Sequence, residues 1–110
     1  MSKVYGYCRV AFKDEEVMEQ QCKMIGDYCK DNGMEIAEYF CDNGVSGLKM
    51  ERSALQRMLN ILQQGDVVII KDIARLTRNI HQYMILVRQI YKAGATLVVM
   101  DNPDLKFIVD

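Results

Sequence analysis

The run Val67-Val68-Ile69-Ile70 constrains this chain most. Consecutive β-branched apolar residues leave no polar face, so the segment suits a strand covered on both sides. The segments around it alternate between strand and helix patterns. Val4–Val10 is short and β-rich and reads as a first strand. From Asp14 the period changes: Val17 or Met18, Cys22, Ile25 and Cys29 recur at helical spacing behind the acidic run Asp14-Glu15-Glu16, and Asn32-Gly33 stops the helix. Glu35 to Cys41 suits a second strand with Ile36, Glu38 and Phe40 on one side, and a turn-rich loop, Asp42-Asn43-Gly44-Val45-Ser46-Gly47, follows. A second helix puts Leu55, Met58, Leu59 and Leu62 on one face and ends at Gly65. A third starts near Thr77 as its cap, carries Ile80, Met84, Val87 and Tyr91, and stops at Gly94. Thr96-Leu97-Val98-Val99-Met100 is the last strand.

Strand-helix alternation of this kind predicts an α/β fold. The expected form is three-layered: a mostly parallel sheet of about four to five strands with helices on both faces. At 110 residues, half of them apolar, the chain is expected to make one domain over residues 1–110. No apolar run approaches the length of a membrane span. The N-terminus lacks a charged region followed by a long apolar one, so no signal peptide is expected.

Cys8, Cys22, Cys29 and Cys41 show no C-x-x-C spacing, and His81 is the one histidine. This argues against a zinc site and for reduced thiols in a cytoplasmic protein. Cys8, Cys22 and Cys29 are expected to pack in the core. No metal or other cofactor is expected. A net charge of −1 excludes a general polycation for nucleic acid, so any DNA contact must come from a local basic cluster or a module elsewhere.

Ligands of open α/β sheets bind beyond the carboxyl ends of the strands. Arg9 and Ala11 fall there after the first strand, and Asp42, Ser46 and Arg52 after the second. Arg75, Thr77 and Arg78 follow the third, so four of the six arginines lie in these segments. Guanidinium groups bind phosphate oxygens in a bidentate, permanently charged way, and the helix starting near Thr77 would add free N–H groups. A single arginine is more simply a surface ion-pair partner, but four at one end of a sheet point to a phosphodiester or another anionic ligand. A metal-dependent receiver-like domain would need acidic residues where these arginines stand. The G-x-x-x-x-G-K-[ST] pattern of a P-loop enzyme is absent.

Tyr7-Cys8-Arg9-Val10 with the next position resembles the Y-x-R-V-S motif of serine site-specific recombinases, the resolvase/invertase group. Gln20 falls where that family has a glutamine in its first helix. Asp42-Asn43-Gly44-Val45-Ser46-Gly47 is similar to its D-x-G-x-S-G loop, and Arg52 to the arginine beyond it. Arg75-Leu76-Thr77-Arg78-Asn79 resembles R-L-x-R-N.

The resemblance implies a catalytic domain that joins a serine to the 5′ end of a cut DNA strand, without metal or nucleotide. It implies a homodimer that assembles into a tetramer in the synaptic complex, with no membrane partner. A dimerising helix and a DNA-reading module would lie C-terminal to this region. By position, Arg9, Arg75 and Arg78 would bind the scissile phosphate, with Arg52 in support. Gln20 and Ser46 would shape the site together with Asp42, and Tyr7 would pack rather than react.

Two positions depart from the pattern. Ala11 stands where the family has its nucleophilic serine, and an alanine has no hydroxyl to attack with. Ala74 stands where many members carry an aspartate, and Asp72 is two residues earlier. Cys8, Ser46, Ser53 and Thr77 are poor substitutes for the nucleophile. The expectation is therefore site-specific DNA recombination machinery that is itself catalytically silent. The alternatives are a naturally silent DNA-binding or regulatory relative, or a phosphate-binding α/β interaction domain.

Overall fold

The computed structural model describes residues 2–45 and 52–102. The loop carrying Ser46 and the C-terminal residues from Pro103 lie outside the described residues. The elements are β1 (Val4–Val10), α1 (Glu15–Asp31), β2 (Ile36–Asn43), α2 (Ser53–Ile61), β3 (Val67–Ile70), α3 (Ile73–Leu76), α4 (Ile80–Lys92) and β4 (Thr96–Val99).

The strands form a four-stranded sheet in the order β2-β1-β3-β4, with every neighbouring pair parallel. Side chains alternate across it. Cys8 and Ile69 pack with Met18, Ile25 and Cys29 of α1 on one face. Tyr5, Tyr7, Val68, Ile70, Leu97 and Val99 pack on the other with Leu55 and Met58 of α2 and Leu86, Val87 and Ile90 of α4. The result is the expected three-layer α/β arrangement.

Strand order reverses between β1 and β3: the chain steps outward from β1 to β2, then crosses back to β3 and continues to β4. A crevice opens beyond the strand ends at such a reversal. Arg9 sits at that end of β1, and α3 lies just beyond β3.

Three local features differ from the expectation. First, Ile36 is not on the Phe40 side. Val4 pairs with Ile36 but Tyr5 pairs with Glu38, so a bulge at Ala37 turns Ile36 toward α1, while Phe40 stays in the opposite core. Second, the segment after β3 makes two helices. Asp72 caps the single turn of α3 by accepting from the Arg75 N–H, and Thr77 ends that turn. Asn79 is the true cap of α4, accepting from the His81 and Gln82 N–H groups. The Thr77 hydroxyl instead accepts from the Asn79 N–H and donates to Gln82 Oε1. Third, the buried stripe of α4 is Leu86, Val87 and Ile90, whereas Ile80 and Met84 are exposed.

The cap assignment is testable. Asn79→Ala should cost about 1 kcal/mol, the usual loss for removing a side-chain N-cap. Urea unfolding followed by circular dichroism reads this directly. An unchanged midpoint would mean that α4 does not begin at this cap.

Candidate phosphate site at the ends of β1 and β3

β1 pairs with β3 only through Gly6, so the later β1 residues have no pairing partner in β3. Side chains take over at Arg9. Its N–H donates to Gln21 Oε1 at 3.3 Å, and its carbonyl accepts from Gln21 Nε2 at 3.0 Å. The same carbonyl accepts from Arg75 Nη1 at 3.1 Å. Gln21 is buried and Gln20, one residue earlier, is exposed. The glutamine contact at the site is therefore made by Gln21, and Gln20 faces outward.

The Arg9 side chain is fully buried. Its Nε donates to the Arg75 carbonyl at 3.0 Å, Nη2 to the Ala74 carbonyl at 2.7 Å and Nη1 to the Val45 carbonyl at 2.9 Å. Arg52 is equally buried. It donates to the Arg75 carbonyl at 3.2 Å and to the Leu76 carbonyl. The last carbonyls of a helix have no partner within it, and α3 is a single turn. Two guanidinium groups satisfy these carbonyls. Arg75 completes the knot: its backbone receives Arg9 and Arg52, while its side chain reaches Asp72 Oδ1 at 3.2 Å and the Arg9 carbonyl.

Tyr7 and Asp42 fix the other side of Arg52. The Tyr7 hydroxyl accepts from Arg52 Nη1 at 3.3 Å and donates to Asp42 Oδ2 at 2.8 Å. The Arg52 guanidinium also lies 5.8 Å from the centre of the Tyr7 ring. Burial raises the Tyr7 pKa well above the ordinary phenol value, although the Arg52 charge pulls the other way. Tyr7 is therefore a protonated donor, which fits the expectation that it packs rather than reacts. Asp42 spends its remaining capacity on the start of α2, accepting from the Ala54 N–H at 3.0 Å and the Leu55 N–H at 3.1 Å. Arg52 occupies the cap position of α2 but makes no side-chain cap bond, so Asp42 does the capping from β2.

The site is electropositive. Burial lowers the Arg9 pKa, and the charges of Arg75, Arg52 and Arg78 lower it further. Those charges disfavour one another and would favour an anion brought among them. Arg78 is exposed, beside a shallow hollow lined by Ile73, Thr77, Asn79, Ile80 and Tyr83. Of the first N–H groups of α4, those of His81 and Gln82 are taken by Asn79 Oδ1 and do not join the donor set. Ala11 follows directly on β1 and is partly exposed. Of the residues named from sequence, Tyr7, Arg9, Asp42, Arg52 and Arg75 are thus joined in one network. Arg78 adds its field, Gln20 stands apart, and Ser46 lies outside the described residues.

A parallel α/β sheet with an arginine knot at its switch point defines the class, and comparison with known proteins defines the family. Residues 4–107 match the family model for the resolvase N-terminal domain, and the chain belongs to that family. A resolvase of Clostridium perfringens is 32% identical over 92 residues, covering 84% of this chain and 46% of the relative. A DNA-invertase of Escherichia phage P1 is 28% identical over 89 residues, 81% of this chain and 44% of the relative. The chain therefore spans about half the length of the curated relatives it matches. The N-terminal catalytic domain of TP901-1 integrase superposes with a TM-score of 0.85 at 25% identity, over 93% of this chain and 80% of that one. The C-terminal catalytic domain of ISC1926 TnpA, an IS607-like serine recombinase, gives 0.81 at 26% identity, over 89% of this chain and 68% of that one.

Removing the Asp42 carboxylate would leave the Tyr7 hydroxyl and two buried α2 amides without an acceptor. Asp42→Ala should cost about 2–3 kcal/mol, and Tyr7→Phe about 1 kcal/mol. The double variant should cost less than the sum, by about 0.5 kcal/mol or more, because the two share a bond. Denaturant unfolding of the four proteins checks this. Strict additivity would break the proposed link between β1, β2 and α2.

Proposed function

We propose that this domain is the phosphate-binding half of a site-specific DNA recombination system and that, with Ala11 in place of a serine, it cannot make the covalent DNA intermediate. The observation that carries the first part is the convergence of Arg9, Arg52, Arg75 and Arg78 at one end of the sheet, each of the other three adding repulsion at Arg9. A DNA phosphodiester supplies the missing negative charge. Arg78, being exposed, reaches it most readily. Arg75 orients the β1 end, and Arg9 and Arg52 hold α3 in place behind it.

The chemistry implied by the family starts with a hydroxyl oxygen. That oxygen bonds to phosphorus, the P–O3′ bond breaks, and the 3′ oxygen leaves with a proton. At position 11 of this chain a methyl group occupies that place, so the first bond has no atom to form from. The arginine network does not involve the Ala11 side chain in any of its hydrogen bonds. Loss of the hydroxyl therefore leaves the anion site standing. In this reading the active assembly is a homodimer that pairs into a tetramer on DNA in the cytoplasm. Sequence reading lies in a module outside these residues. Exposed Ile80, Met84 and Ile85 offer α4 surface for contact between copies.

Ala11 itself favours a second reading, a relative that binds DNA and regulates without cutting. One experiment separates the two. Ala11→Ser is placed in a chain of the relatives' full length and incubated with a nicked duplex carrying the target site. A denaturation-resistant protein–DNA adduct should form with serine and not with alanine. An adduct with Ala11 would overturn the nucleophile assignment. Binding of the duplex with no adduct from either form would favour the regulatory reading.

The anion site has its own check. Inorganic sulfate at ten times its dissociation constant should stabilise the domain by roughly 1.4 kcal/mol. Arg78→Ala, which removes no described core contact, should abolish most of that gain. Equal stabilisation of both proteins would place the anion elsewhere.

A further inference from the structure

On the α1 face of β1, directly behind the arginine network, three thiols meet. Cys8 Sγ is 3.7 Å from Cys22 Sγ, and Cys22 Sγ is 3.6 Å from Cys41 Sγ. All three sulfurs lie within 4.8 Å of one another. Parallel pairing puts Cys8 opposite Cys41 across β1 and β2, and α1 lays Cys22 over both. Metal–sulfur bonds of about 2.3 Å in a tetrahedral site put neighbouring sulfurs about 3.8 Å apart. The two pairs that Cys22 makes are already at that spacing.

We infer that Cys8, Cys22 and Cys41 form a binding site for a thiophilic divalent cation of the zinc type, with three thiolate ligands and a fourth position open to solvent. The burial gradient gives both a floor and an entrance: Cys8 is fully buried, Cys22 half-buried and Cys41 exposed. On binding, each thiol gives its proton to solvent as its sulfur bonds the metal. Soft thiolate ligands select zinc-group ions over magnesium or calcium. Cys29 lies on the same helix and is buried, but it is not one of the three.

The position gives such a site a consequence. Each ligand is the chain neighbour of a residue in the phosphate network: Cys8 of Arg9, Cys22 of Gln21 and Cys41 of Asp42. A bound ion would tie β1, α1 and β2 together immediately behind the site. The sequence argument against zinc concerns only spacing along the chain, where no C-x-x-C occurs. Here the ligands come from three separate elements: the strand register brings Cys8 and Cys41 together, and the packing of α1 adds Cys22.

Cadmium(II) titration of the chain, kept reduced by a non-thiol reductant, tests the inference without reference to DNA or catalysis. The thiolate-to-cadmium ultraviolet charge-transfer band should saturate at one ion per chain, and zinc(II) should displace it. Cys22→Ser and Cys41→Ser, both outside the fully buried core, should each weaken binding by at least about tenfold. Cys29→Ser should leave it unchanged. No saturable band, or a band that survives both Cys22→Ser and Cys41→Ser, would overturn the site.

Discussion

The guanidinium groups of Arg9 and Arg52 donate to the last carbonyls of the one-turn helix α3, and the geometry of the site hangs on that contact. A fully buried cation usually has a carboxylate beside it. Here the direct acceptors are mostly backbone carbonyls, and Asp42 acts at one remove through the Tyr7 hydroxyl. Each side solves the other's problem. Peptide dipoles solvate all three nitrogens of the Arg9 guanidinium and the two Nη groups of Arg52, and α3 gains partners for carbonyls that so short a helix cannot satisfy. The outcome fixes where β3 hands over to α4, and so where Arg75 and Arg78 stand.

This also explains why the end of β1 is held so tightly although β3 stops short of it. Gln21 and Arg75 replace a strand neighbour at Arg9, and Asp42 links β2 to the first turn of α2. Those bonds involve no hydroxyl at position 11. On the function proposed above, the anion-binding frame and the nucleophile depend on different atoms, so the frame stands with Ala11 in place. Membership of the resolvase family and an alanine at position 11 are compatible for that reason.

Much of the layer structure was legible in the sequence. The unbroken apolar run at Val67–Ile70 and the helical repeat of Met18, Ile25 and Cys29 are signals of period and need no tertiary information. The gathering of Arg9, Arg52 and Arg75 was legible too, because all three lie at or after strand ends on one edge of a parallel sheet. What failed depended on register or on local competition. The bulge at Ala37 moves Ile36 to the other face, and no periodicity shows a bulge in advance. Thr77 and Asn79 are both competent caps, and the choice falls to Asn79 because Asp72 has already started a separate turn. Gln20 and Gln21 differ by one position, about 100° around the helix, and the buried stripe through Met18 and Ile25 selects Gln21. The thiol triangle was invisible because its members come from three elements.

Arg9 is locked onto α3 carbonyls, while Arg78 is exposed where an anion would approach. Hydrogen exchange at the arginine Nε–H groups, followed by nitrogen-15 NMR, measures this most directly. Arg9 Nε–H, bonded to the Arg75 carbonyl and shielded from water, should exchange far more slowly than that of exposed Arg78. Equal, fast exchange at both would contradict the account, because it would mean that the Arg9 guanidinium is not held by α3.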